Sequence, residues 1–194
     1  MKDKKIGILL LGFALVFACG RKTELKNIEL TQSNFKLAQD YNDFASKMEN
    51  NDTLNLGVNL SMCGWEEYDE VEITKSEDRV YIQIKEKRIA SDTTIYFPKV
   101  PYELKNDTLS IEKMMEGFDI NYTEKISSPF FIIRNPKEKD TILLRTTGLG
   151  NRGRNIQKYH SLMLELYPKE MDSYYVALFG VTYKEFNEGI ITEE

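Results

Sequence analysis

The chain has 194 residues, 41% of them hydrophobic and 29% charged, which is enough for one domain with a real core. Its 26 basic and 31 acidic residues give a net charge of −5. That balance disfavours a nucleic-acid surface, which needs clustered Lys and Arg, and argues against adhesion to anionic lipid by charge alone.

The chain opens on Lys2-Asp3-Lys4-Lys5, followed by an apolar run from Ile6 to Ala18 and then Cys19-Gly20. A charged start and a short apolar segment match a secretory signal. A spanning helix needs about 20 apolar residues, and Arg21-Lys22-Thr23-Glu24 closes this run well before that length.

Leu15-Val16-Phe17-Ala18-Cys19 resembles the lipobox of bacterial lipoproteins, in which an apolar stretch and a small residue precede an invariant cysteine. Phe17 departs from that pattern, which takes a smaller residue there. The resemblance covers only the first twenty residues. It implies removal of residues 1–18, a diacylglycerol thioether on Cys19, and an acylated new amino terminus, so that palmitate-type chains hold the domain on a membrane. Val16-Phe17-Ala18 also fits an ordinary cleavage site, which would leave Cys19 as a free thiol. Two or three chains on one cysteine make release negligible, since each buried CH₂ contributes about 0.8 kcal/mol. By the sorting rules of such lipoproteins, the absence of Asp after Cys19 argues against inner-membrane retention. Basic Arg21-Lys22 differs from an acidic surface-export run. A periplasm-facing position on the cell membrane or outer membrane follows.

The leader carries three lysines and one aspartate, so the remaining 176 residues have a net charge of −7. Residues 19–28 read as a lipidated tether, reaching on the order of 30 Å at about 3.3 Å per residue. Residues 29–194 read as a single domain of α+β class: one N-terminal amphipathic helix packed on a mostly antiparallel sheet of successive hairpins.

Residues 30–49 carry the helical period, with Leu30, Leu37, Tyr41, Phe44 and Met48 on one stripe. From Leu54 the period becomes two, through Leu56, Val58 and Leu60. A hairpin follows around residues 76–79. Its pattern pairs Ile73 with Ile82 and Val71 with Ile84 on one face, and Glu72 with Gln83 and Glu70 with Lys85 on the other. A second hairpin is expected to turn at Asn106-Asp107, with Tyr102 opposite Ile111. Further strands are expected at 118–124, 130–134 and 140–147. A last hairpin is expected to join Leu162–Leu166 to Tyr174–Val181. Short turns between consecutive strands favour antiparallel pairing.

Several groups carry potential chemistry. Gly148-Leu149-Gly150-Asn151-Arg152-Gly153 matches a dinucleotide fingerprint, but that use needs a helix starting in the motif and a second parallel strand ending in an acid. A glycine-rich surface loop with solvated Arg145, Arg152 and Arg154 is the expectation. Glu66, Glu67, Asp69, Glu70 and Glu72 lie beside Trp65, a glycosidase-like grouping whose structural alternative is a solvated strand face. Cys63 and His160 are the one pair that could serve thiol catalysis, and with Cys19 acylated they are too few for a tetrahedral zinc site. Asp52-Thr53, Asp92-Thr93, Asp107-Thr108 and Asp140-Thr141 resemble an O-glycosylation signal of exported proteins in one bacterial group; ordinary turn chemistry explains them equally. The expected function is a non-catalytic envelope module with an unknown protein or small-molecule partner, with no cofactor, metal or nucleic acid. The alternative is an envelope hydrolase using the acids near Trp65 or the Cys63–His160 pair.

Overall fold

The structure is a computed structural model that describes residues 33–63, 66–88, 93–118 and 128–188. Cys19, Trp65 and most of the expected 118–124 strand lie outside the described residues. Helices and a mostly antiparallel sheet make the fold α+β.

The strands are β1 (Thr53–Asn59), β2 (Glu67–Ser76), β3 (Arg79–Arg88), β4 (Thr93–Tyr96), β5 (Val100–Pro101), β6 (Pro129–Arg134) and β7 (Thr141–Arg145). They lie in the order β4-β3-β2-β1-β6-β7, and the short β5 also pairs with β3. The β2–β3 hairpin has the expected register, with Ile73 opposite Ile82 and Val71 opposite Ile84. The same register pairs Ser76 with Arg79, and Glu77 and Asp78 turn at φ 52° and 60°. Two residues at positive φ match the right-handed twist of the strands. The Asn50 amide steadies the turn by donating to the Asp78 carboxylate at 3.2 Å and accepting the Asp78 N–H at 2.9 Å.

Alternation gives the sheet one buried face. Leu54, Leu56, Val58, Val71, Ile73, Ile82, Ile84, Phe131, Ile133 and Leu144 belong to the core, each contributing roughly 1.5–3 kcal/mol on full burial. The other side of that core comes from α4 (Leu149–Leu166) and α5 (Pro168–Phe179), which follow four shorter elements or precede one. The earlier ones are the single turns α1 (Leu37–Asp40) and α2 (Phe44–Lys47), a 3-10 turn at Asp107–Leu109, and α3 (Ile111–Met115); α6 (Tyr183–Asn187) ends the described chain.

Three expectations are corrected. The stripe at 30–49 is not one helix in its described part: it breaks at Tyr41-Asn42-Asp43. The Asp40 carboxylate accepts the Lys36 N–H at 2.7 Å, closing the first turn on itself, and Asn and Asp are poor helix formers. Leu37, Phe44 and Met48 are nevertheless all buried. No hairpin turns at Asn106-Asp107. The Asn106 side-chain oxygen Oδ1 accepts from the Thr108 N–H and hydroxyl at 3.1 and 2.7 Å, and Ser110 caps α3. Tyr102 and Ile111 do meet, but through the Tyr102 hydroxyl, which accepts the Ile111 N–H at 2.7 Å. Finally, 162–181 forms helices. Tyr159, Leu162, Met163 and Tyr167 are buried at spacings of three, one and four, a helical set hidden behind the alternating Leu162, Leu164 and Leu166.

Candidate functional site

The pleat splits the acidic group between two faces. Glu67 and Asp69 point inward with Val71 and Ile73, while Glu70 and Glu72 point out and Glu66 is exposed. Register sets Asp69 opposite Glu86, and Glu67, Asp69 and Glu86 are only 2%, 5% and 3% exposed. Like charges facing each other across a ladder are unfavourable and need an answer. Helices α4 and α5 supply part of it: the Tyr159 hydroxyl donates to Asp69 at 2.7 Å, and the Tyr174 hydroxyl donates to Glu67 at 2.9 Å. None of the three carboxylates is without a partner. Burial, then the adjacent carboxylates, push both phenols well above their ordinary range, so they remain donors.

These groups line a crevice with Leu60, Phe97, His160, Met163 and Met171, but its volume is about 10 Å³. That is no more than the space of one water, so no polymer segment enters. The crevice serves as a polar lock fastening two helices to the sheet. His160 is half-buried there; its Nδ1 lies 3.2 Å from the Tyr175 hydroxyl and its ring packs against Tyr159, Tyr174 and Tyr175. Cys63 is exposed on the turn after β1 and is not among the lining residues. The structure does not build a thiol–imidazole pair from them.

Burial lowers the His160 pKa from 6.5 to about 4. The unfolded chain takes up this proton near pH 6.5, and the fold refuses it until about pH 4. Between those values the unfolded state binds more protons, so stability falls as pH drops through that window and levels off below it. The expected loss is on the order of 2 kcal/mol, since part of the ring meets solvent. Glu112, held above the usual carboxylate range by burial, titrates with the opposite sign. Urea unfolding at pH 7 and 4.5 should therefore show a steeper pH loss in the wild type than in His160→Phe; equal slopes would refute the assignment.

The glycine motif opens a helix. Gly148, at φ 83°, is the N-cap of α4, which starts at Leu149. The rest of a dinucleotide site does not follow: the described sheet pairs only antiparallel, and Arg152 is 7% exposed. Its guanidinium donates to the carbonyls of Ser61 at 2.6 Å, Asn59 at 2.8 Å and Ser128 at 3.4 Å, and lies 5.8 Å from the Phe130 ring centre. The fork is committed to backbone, not held out for an anion. Arg154 donates to Asn151, and Arg145 also has a partner. Of the Asp-Thr pairs, Asp107-Thr108 is exposed on the 3-10 turn and Asp140-Thr141 is exposed where β7 begins, while Asp92 lies outside the described residues. Asp52 is buried: desolvation opposes its charge, but bonds from Ser33, the Glu49 N–H and Lys137 outweigh that and hold its pKa low.

The outer face of the sheet has a different character. Register aligns Tyr96, Lys85, Glu70, Gly57, Ile132 and Leu143 in one cross-strand row, and Gln83, Glu72, Asn55, Arg134 and Thr141 in the next. Gly57 interrupts a wall of side chains and leaves a trough of about 570 Å³ across the central strands. Glu70 is engaged by Lys85 at 3.1 Å and by Lys87. Gln83 donates to the Phe97 carbonyl at 3.3 Å. The side chains of Glu72, Asn55 and Arg134 stand abreast and make no hydrogen bond or ion pair among the described residues. Tyr96 is 69% exposed at the rim. Asn55, Gly57, Tyr96 and Arg134 were not singled out from the sequence. The strand pattern marks their outward direction, but nothing local shows that β1 lies between β2 and β6.

Among the described residues, no group of His, Cys, Asp and Glu is placed to hold a metal ion, and no helix is long and apolar enough to cross a membrane. The chain matches no family model, no curated protein and no solved structure.

Proposed function

We propose that the protein is a membrane-anchored bacterial lipoprotein of the cell envelope, held through Cys19 on a membrane and facing the periplasm. Its domain works as a non-catalytic binding module, and the binding surface is the outer face of the sheet. One contrast carries the binding reading: the buried carboxylates have about 10 Å³ beside them, whereas the outer face offers a trough of about 570 Å³ with uncommitted polar groups. The anchor rests on the Lys2–Cys19 stretch. The finer arrangement of the fold, an N-terminal helical segment packed on the sheet, belongs to the same reading, and the burial of Leu37, Phe44 and Met48 supports it.

A lipid anchor makes a sharp prediction. Protein extracted from native membranes should begin at Cys19 and carry the added mass of a diacylglycerol thioether. Cys19→Ser should keep its leader or move to the soluble fraction. An unmodified Cys19 sulfur, or a Cys19→Ser protein still processed and membrane-bound, would contradict the anchor.

A further inference from the structure

We infer that the trough on the outer face binds an extended, uncharged saccharide chain. The inference rests on the reading of that face as the binding surface, and names its ligand class. Three observations carry it.

The first is charge. Four ionised groups line the trough, Glu70 and Glu72 against Lys85 and Arg134, so their charges cancel. Glu70 is already answered by two lysines. Opposite charges are interleaved along the trough, so a strongly anionic or cationic ligand meets little net field.

The second is the pattern of free hydrogen-bonding groups. Glu72 accepts, Asn55 both donates and accepts, and Arg134 donates, on three adjacent strands about 4.8 Å apart. Hydroxyl groups suit such a row because each can donate and accept. An apolar side chain laid there would strip water from all three groups and return nothing. A peptide added as a strand needs an unpaired backbone edge, and here the floor is β1, whose two neighbours β2 and β6 already take its backbone groups.

The third is shape. The trough is open and floored by Gly57, with Ile132 beside it, Leu143 beyond, and the Tyr96 ring across the face. An open trough suits the middle of a chain better than a small molecule, which is normally buried over most of its surface. The exposed ring and the Ile132–Leu143 pair give apolar patches for the C–H faces of sugar rings.

The test uses the full chain in detergent, titrated by calorimetry with cellohexaose, chitohexaose, mannohexaose and xylohexaose. A heparin hexasaccharide and an extended decapeptide serve as comparators. At least one uncharged hexasaccharide should bind. Asn55→Ala should weaken that binding about fivefold, the worth of one hydrogen bond. Gly57→Val should abolish it; a Cβ there meets the Ile132 side chain at ordinary contact distances of 3.5 and 3.9 Å, and Tm measured beside the titration shows that the variant is folded. Binding of none of the four sugars, binding of the heparin fragment or peptide alone, or undiminished binding in Gly57→Val would each overturn the inference. A protein cross-linked through Asn55 in membranes, with no sugar bound, would also sink it while leaving the binding module itself intact.

Discussion

Arg152→Met is expected to destabilise the fold by about 3 kcal/mol, although Arg152 lies in a motif that reads as a surface loop. The guanidinium is buried and joins three separate pieces of chain: the end of β1 at Asn59, the connection to β2 at Ser61, and the approach to β6 at Ser128. Methionine fills much of the volume but leaves those carbonyls without their donor, and each such orphaned group costs roughly 1–3 kcal/mol. Arg152→Lys should recover little of this, because an ammonium is a point donor and cannot span a planar fork. Urea midpoints measure the loss. Limited proteolysis should show new cleavage at Leu60–Met62, next to the Ser61 carbonyl that the guanidinium holds. Stability within about 0.5 kcal/mol of the wild type would mean that the side chain sits in solvent.

Tyr159→Phe is expected to cost about 2 kcal/mol, and Tyr174→Phe a similar amount. Each substitution removes only a hydroxyl that donates to a buried carboxylate, at 2.7 Å for Asp69 and 2.9 Å for Glu67. Hydrogen bonds to charged acceptors are worth roughly twice neutral ones, and the aromatic packing of both rings survives. The phenols also answer the like charges that the β2–β3 register forces together at Asp69 and Glu86. The two bonds share one crevice, so the double variant should deviate from the sum of the singles. Strict additivity would show the carboxylates to be independent, against the single polar lock described above.

The sequence was most legible where period two stood between clear turns. The β2–β3 register follows from Val71 and Ile73 against Ile82 and Ile84, because slipping one residue would turn one face inside out. The same alternation misled at Leu162, Leu164 and Leu166, where apolar residues on both helix faces mimic a strand. Asn106-Asp107 carries turn chemistry that serves equally to cap a helical turn, and the helix that follows buries Ile111, Met114 and Met115. The acidic group could be divided in part: Glu70 and Glu72 were placed outward correctly. The inward Glu67 and Asp69 follow from the same alternation, yet burial of carboxylates is so unfavourable that it needs partners supplied from 107 and 90 residues away. The trough was illegible for a related reason. Asn55 and Gly57 come beside Glu72 through β1–β2 pairing, and Arg134 joins them only when β6 pairs with β1, a long-range choice that no local pattern encodes.

The claim that the outer sheet face is the working surface is tested most directly by photo-cross-linking in native membranes. Cross-linkers would be placed at Asn55 and Leu143 on that face, and at Lys158 and Asp172 on the exposed sides of α4 and α5. Specific adducts are expected from Asn55 and Leu143 and none from Lys158 or Asp172. Adducts from the helical positions alone would place the working surface on the opposite side of the domain and contradict that claim.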